Sequence, residues 1–158
     1  MLSKYIPKRI NSFDARDSMT VVDYGCGAGR YTVLFSKKVG KNGKVYAVDI
    51  EPKSIKELEK LIISMQLVNV IPVLATDYES GLPSGIADRV FAIDMFHAID
   101  NTIQFLNELY RIVKPDGVLY IDYGHQLKEH ALDKIKKANV FKINETHSQY
   151  AVLTRKWA

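Results

Sequence analysis

Short apolar runs alternate along this chain with segments whose apolar residues recur every three to four positions. The first pattern is that of buried strands and the second that of amphipathic helices. Residues 20–24 (TVVDY) predict a strand, and 30–39 a helix with Tyr31, Leu34 and Phe35 on one face. Residues 44–49 (KVYAVD) predict a second strand after the turn Lys41-Asn42-Gly43. The next helix is expected to start at a capping box of Ser54 and Glu57, with Ile55, Leu58, Ile62 and Met65 as its stripe. Residues 70–75 and 89–94 (RVFAID) predict the third and fourth strands. A helix from about Thr102 places Ile103, Leu106, Tyr110 and Val113 on its buried side, and residues 114–117 stop it and turn the chain into a fifth strand, 118–123. A lysine-rich helix near 127–138 and two strands, about 140–145 and 149–154, complete the pattern.

Strands alternating with helices imply parallel pairing through right-handed crossovers. The last two strands are joined only by residues 146–148, too few for a crossover, so they must run antiparallel. The expected fold class is α/β: a doubly wound, seven-stranded, mostly parallel sheet with an antiparallel C-terminal strand and helices on both faces. The 158 residues read as one domain, with residues 1–18 ahead of the first strand as an N-terminal segment that could serve as a lid.

Composition narrows the class without deciding it. The net charge of +4 is mild and reads as spread along the chain, so it points to no particular partner. Cys26 is the one cysteine, which excludes an intrachain disulfide and makes a reducing, cytoplasmic setting the expectation. The first residues are too polar for a signal peptide, and no apolar run approaches the ~20 residues of a membrane span.

In such sheets ligands bind at the carboxyl ends of the strands, where the winding reverses. Four of the five strands before the last helix carry an aspartate at or near that edge: Asp23, Asp49, Asp77 and Asp94. The loop after the first strand is DYGCGAGRYT, with Gly25, Gly27 and Gly29 two apart. It departs from the dinucleotide fingerprint G-x-G-x-x-G, and no Gly-Lys-Ser/Thr follows for a phosphate loop. Asp23 beside the glycines would repel a pyrophosphate. The glycines still let a ligand lie against bare backbone, and the helix behind them offers N–H groups that suit a carboxylate. Asp49, at the second strand's tip, stands where an acid grips a ribose diol. The implied ligand has a nucleoside, a carboxylate and a cationic group but no phosphate, and S-adenosyl-L-methionine has all three.

Here the chain resembles the class I SAM-dependent methyltransferases, from about Thr20 to Thr154. VVDYGCGAG is similar to their first motif, with Asp23, Tyr24, Gly25, Cys26, Gly27 and Gly29 at the cofactor. KVYAVDIEP resembles the second-strand motif, which implies Asp49 on the ribose and Ile50 against adenine. ATDYESGLP resembles the third, with Asp77 at the adenine amino group and Tyr78 alongside. ADRVFAIDMFHAI resembles the fourth, with Asp94 and Met95 near the methionyl part. LNELYRIVKPDGVLYI is similar to the segment written R-x-L-K-P-G-G, with Asp116 for the first of those glycines and Val113 for the leucine. The resemblance implies a Rossmann-like fold, S-adenosyl-L-methionine as cofactor, S-adenosyl-L-homocysteine as product, and methyl transfer by in-line displacement.

Plainer readings stand beside these. Asp23 could cap its loop, Asp77 could make an Asx turn, Ile50 could be core, and Cys26 reads as a small loop residue. The four histidines have no metal-ligand spacing, so no metal is expected. His97 follows the fourth strand, where a base, a substrate contact or a locally satisfied histidine are all open; Tyr123 and His125, past the fifth strand, share those options as acceptor-side candidates. The acceptor is expected to be a small molecule or a protein. A nucleic acid is not expected, because no basic stripe with interleaved aromatics is present. Because the lid is thin, either the N-terminal segment, with Tyr5 as a contact, folds over the site, or a second copy in a homo-oligomer covers it, or the acceptor is a large surface such as a protein. The alternative is a SAM-binding regulatory or partner subunit without transferase activity.

Overall fold

The computed structural model describes residues 8–157. Seven strands form one sheet in the order β3-β2-β1-β4-β5-β7-β6, built from β1 (Thr20–Tyr24), β2 (Lys44–Asp49), β3 (Val70–Leu74), β4 (Ala87–Ala92), β5 (Val113–Asp122), β6 (Phe141–Thr146) and β7 (Tyr150–Arg155). β1 pairs in parallel with both β2 and β4, so the winding reverses between β1 and β4. Only β7 runs against the rest: it is antiparallel to β5 on one side and to β6 on the other.

The sheet separates two cores, and alternation along each strand feeds both. Val21, Val45, Ala47, Phe91 and Tyr120 face α1 (Thr32–Val39), α2 (Pro52–Met65) and the turn at Lys8–Ser12. Val22, Val48, Val90, Ala92, Leu119 and Ile121 face α3 (Thr102–Ile112) and α4 (Lys128–Ala138). Both faces are therefore covered, which is why the central strands read as continuous apolar runs.

Phe91 is the hub of the first core. Its ring stacks on Phe35 at 4.2 Å and on Tyr120 at 5.1 Å, and Phe13 closes the cluster at 5.5 Å. Ile10, Phe13 and Ala15 are buried and the Ser12 hydroxyl meets that of Tyr150, so the described part of residues 1–18 is anchored to the first core. Tyr5 lies outside the described residues.

Several local expectations are corrected. α1 begins at Thr32 rather than Arg30. α2 begins at Pro52 behind Glu51, not at a Ser54–Glu57 box; a proline at the first helical position needs no N–H partner and brings its φ already set. Along α2, Ile55 and Leu58 are buried, while Met65 is exposed. α3 buries Phe105, Leu106, Leu109 and Ile112, while Ile103 is half-exposed. Asn101 sets that phase, accepting from the Gln104 N–H at 3.0 Å as an N-cap. Residues 114–117 are not a turn before a strand but a bulge inside one: Ala87 pairs with Val113 and Arg89 with Val118. Lys114 closes the bulge on Asp88 at 2.7 Å.

No helix among the described residues is long and apolar enough to cross a membrane.

Candidate functional site

The reversal between β1 and β4 opens a cleft of about 340 Å³ at the carboxyl edge of the sheet. Tyr24 and Gly25 come from the end of β1, Asp49 and Ile50 from β2, Asp77 and Tyr78 from the chain after β3, and Asp94 and Met95 from the chain after β4. Ala98, Ile99 and Phe105 complete the wall.

Backbone hydrogen bonds fix the glycine loop against β2. The N–H groups of Gly25 and Cys26 both donate to the Val48 carbonyl, at 2.8 and 3.0 Å. The Asp49 carboxylate is the second clamp: Oδ2 accepts from Gly27 N–H at 2.8 Å and Oδ1 from Glu51 N–H at 2.9 Å. Each carboxylate oxygen has two lone-pair sites, so Asp49 keeps capacity for a ligand. Gly25 must be a glycine, because its φ is +81° and a Cβ would lie 2.9 Å from Met95 Cγ.

Asp94 holds a left-handed backbone, φ +57°, and so does Asp77, φ +50°. Such conformations are costly for residues with side chains and collect at binding and catalytic sites. The Tyr31 hydroxyl donates to Asp94 Oδ2 at 2.7 Å, and the Asp94 N–H donates to Asp122 Oδ1 at 2.8 Å. Tyr24 donates its hydroxyl to the Tyr78 carbonyl at 2.9 Å, and the Tyr78 hydroxyl accepts from Asn101 N–H at 3.0 Å. Ile50 is 60% exposed, an apolar surface held at the rim.

The structure does not bring all the expected residues to the cleft. Asp23 is buried beneath it and accepts from the Thr32 hydroxyl at 2.7 Å. Burial raises its pKa from 3.8 to about 7; the Thr32 bond opposes the rise and the charge of Asp49 adds to it. Cys26 points into the α1-side core, and burial pushes its thiol up. Gly29 backs onto α2, where a Cβ would lie 2.7 Å from Leu58 Cδ1, and Gly27 is held at the loop by Asp49. Asp23, Cys26 and Gly29 shape the loop from behind, while Gly27 faces open space.

The acceptor-side candidates lie beyond Asp94. Tyr123 is buried and its hydroxyl donates to the carbonyls of His147 and Tyr150, at 3.0 and 2.8 Å. Burial raises its pKa, so the hydroxyl is a brace for the β6–β7 turn and is not disposed to act as a base. His97 packs edge-on against His125, ring centres 4.8 Å apart, and its Nδ1 is buried without a partner. His125 itself lines a second cavity. Sequence reasoning missed Phe105 and the Tyr31 hydroxyl. Reading Asn101 and Gln104 as a helix cap would have set the phase of α3 and found the first; no spacing signals the second.

The cleft fits a nucleoside better than a phosphate. Its lining holds three carboxylates, apolar walls and no lysine or arginine. Among the described residues no group of three or more His, Cys, Asp or Glu side chains is placed to hold a metal ion.

With this geometry in place, the comparisons agree. The sequence family described as a methyltransferase domain matches residues 15–156, and the chain belongs to it, as a class I SAM-dependent methyltransferase domain whose family cofactor is S-adenosyl-L-methionine. It is 26% identical over 110 residues to a demethylmenaquinone methyltransferase of Geobacillus sp., covering 70% of this chain and 46% of that protein. It is 31% identical over 104 residues to a 2-methyl-6-phytyl-1,4-hydroquinone methyltransferase of Synechocystis sp., covering 65% of this chain and 31% of that protein. The chain thus spans less than half the length of these curated relatives. A solved SAM-dependent methyltransferase from Aquifex aeolicus superimposes with a TM-score of 0.80 at 25% identity, over 92% of this chain and 86% of that one.

Proposed function

We propose that this protein binds S-adenosyl-L-methionine in the cleft between Tyr24 and Asp94 and transfers its methyl group to a small-molecule acceptor. The observation that carries the reading is Asp49, standing at the tip of β2 and clamped to the glycine loop through Gly27 N–H. In this reading Asp49 holds the ribose diol. Ile50 and Tyr78 take the faces of the adenine, and Asp77 meets its amino group. Asp94, steadied by the Tyr31 hydroxyl, and Met95 flank the methionyl end. Gly25 lets that end lie against backbone, while Asp23, Cys26, Gly27 and Gly29 hold the loop's shape.

When bound, S-adenosyl-L-methionine supplies an electrophilic methyl carbon: an acceptor lone pair forms the new bond as the C–S electron pair leaves with sulfur, giving neutral S-adenosyl-L-homocysteine, and the acceptor's proton goes to solvent. The chain's own task is then orientation, holding acceptor and methyl in line. A second copy of the chain as a cover belongs to the same proposal; Ile10 and Phe13, buried in the core with Phe91, take residues 10–13 out of a lid role.

Calorimetry with S-adenosyl-L-homocysteine tests it. The intact protein should bind, and Asp49→Ala should weaken binding by about tenfold or more, the worth of one charge-assisted hydrogen bond. No binding by the intact protein would overturn the assignment. Binding without transfer to any acceptor in a screen with labelled S-adenosyl-L-methionine would favour the regulatory-subunit alternative.

A further inference from the structure

The outermost strand, β6, carries a groove of about 420 Å³ far from the cleft: β4, β5 and β7 stand between it and the point where the winding reverses. Phe141 and Ile143 make part of its lining apolar. The rest is Asn139 and three exposed lysines: Lys136 from the last turn of α4, Lys142 from β6 and Lys156 just past β7. No carboxylate enters the lining. The sequence holds no basic stripe; the fold assembles one from residues 136–143 and 155–157.

These cations are left un-neutralised. Among the described residues Lys136 and Lys142 make no ion pair and no side-chain hydrogen bond, whereas their neighbour Lys137 pairs with Asp133 at 3.2 Å. Lys156 Nζ donates to Asn139 Oδ1 and lies 5.8 Å from the centre of the Trp157 ring. Trp157 is the chain's one tryptophan, and it is 61% exposed. Its carbonyl is nevertheless held by the Tyr110 hydroxyl at 2.9 Å, and Arg155 lies over the Tyr110 ring at 4.0 Å. Free ammonium groups beside a positioned, solvent-facing indole suit a ligand that carries both phosphates and flat rings. Purely local roles explain less. A helix C-terminus favours a cation at Lys136, and a lysine at Lys142 guards an edge strand, but neither accounts for Lys156 and the exposed indole. An acidic peptide adding to the sheet would need a regular edge, and β6 is bulged between Ile143 and Glu145.

We infer that this groove docks single-stranded nucleic acid, with backbone phosphates on Lys136, Lys142 and Lys156 and a base stacked on Trp157. A single strand fits better than a duplex, because its bases are free to leave one another for the indole. The surface is an anchor set apart from the cleft, and it does not rest on the cofactor reading above.

The test is titration of the full chain with a labelled oligouridylate of about 12 nucleotides, read by anisotropy and by Trp157 emission. The oligomer should bind and quench that emission, and log K should fall with log salt at a slope of about −2, the release expected for three phosphate contacts. A duplex of the same length and poly-glutamate should each bind at least about fivefold more weakly, having no free base to stack. Lys136→Gln with Lys142→Gln should flatten the slope to about −0.7. Trp157→Ala should weaken binding at least about fivefold, read by anisotropy. These side chains are exposed, so the variants should keep the wild-type Tm and affinity for S-adenosyl-L-homocysteine. No binding at about 50 mM salt, unquenched emission, poly-glutamate or duplex bound as tightly as the single strand, or a slope untouched by the lysine variants would each overturn the inference. Failure of the wild type to bind S-adenosyl-L-homocysteine would overturn the cofactor reading alone.

Discussion

Two cavities open on one edge of the sheet and meet at Asp94, yet they are built in opposite ways. The cleft, about 340 Å³, is walled by Ile50, Met95, Ile99 and Phe105, with carboxylates at the strand tips. The cavity beyond Asp94, about 230 Å³, is lined by polar side chains from the end of β5, the start of α4 and the β6–β7 turn. Charge follows the same division. Placed on the fold, the basic excess that reads as spread is concentrated: residues 124–158 hold seven Lys or Arg against three Asp or Glu, which accounts for the whole net charge of +4. Residues 1–123, which hold the glycine loop, are neutral, and the last 35 residues, which supply part of the polar cavity's lining, are cationic.

The largest expected effect strikes what both halves share. Phe91 lies under the sheet centre, fully buried among Phe35, Tyr120 and Phe13. Phe91→Ala should cost ~3–5 kcal/mol in urea unfolding, as large core truncations do, and loosen cleft and cavity together. A loss confined to one of them would mean that the two are built independently.

A pair of glycine substitutions should separate them. Gly25→Ala sets a Cβ 2.9 Å from Met95 Cγ, and Gly124→Ala sets one 2.0 Å from His97 Nδ1; both positions have positive φ. Each should cost ~1–3 kcal/mol of stability. The first should weaken S-adenosyl-L-homocysteine binding, measured by calorimetry. The second should spare that binding and raise the KM for the acceptor. Equal effects on both ligands would erase the distinction.

A further effect concerns pH. An acid whose folded pKa lies above its unfolded value takes up a proton on folding in the window between the two, so its stabilising contribution is lost as pH rises through that window. For Asp23 the window runs from 3.8 to about 7. Glu108 runs the other way: burial raises its pKa, but Arg111 and Ser80 more than offset this, so its contribution is lost as pH falls. The difference between wild type and Asp23→Asn isolates the first group. The variant keeps an acceptor for the Thr32 hydroxyl, and its relative stability should grow between about pH 4 and 7 and then level off. A flat difference would contradict the buried, proton-holding role given to Asp23.

The two regions also differ in how far the sequence reveals them. The cleft was legible because each of its acids lies at or just past the carboxyl end of a strand, and strand order follows from the alternation of apolar runs with helices. Eight residues expected at the cofactor line it: Tyr24, Gly25, Asp49, Ile50, Asp77, Tyr78, Asp94 and Met95. The polar cavity was not legible. Gln126, Lys128 and Ser148 have no spacing that links them, and they meet only because β7 inserts between β5 and β6. Tyr123 sits at the expected edge, but its hydroxyl is taken by two carbonyls, a fact of packing that no local pattern carries. The misread start of α2 has the same origin: Pro52 fixed the end of that helix more strongly than its apolar stripe did.

The central claim is that the cleft, and not the cavity beyond Asp94, takes the cofactor. Backbone amide NMR of the full chain, titrated with S-adenosyl-L-homocysteine, tests it most directly. The account predicts large shifts at Gly25, Gly27, Asp49, Ile50, Asp77, Tyr78, Asp94 and Met95, with Gln126, Lys128 and Ser148 scarcely moved. Shifts centred on Gln126, Lys128 and Ser148, or none at the tip of β2, would contradict it.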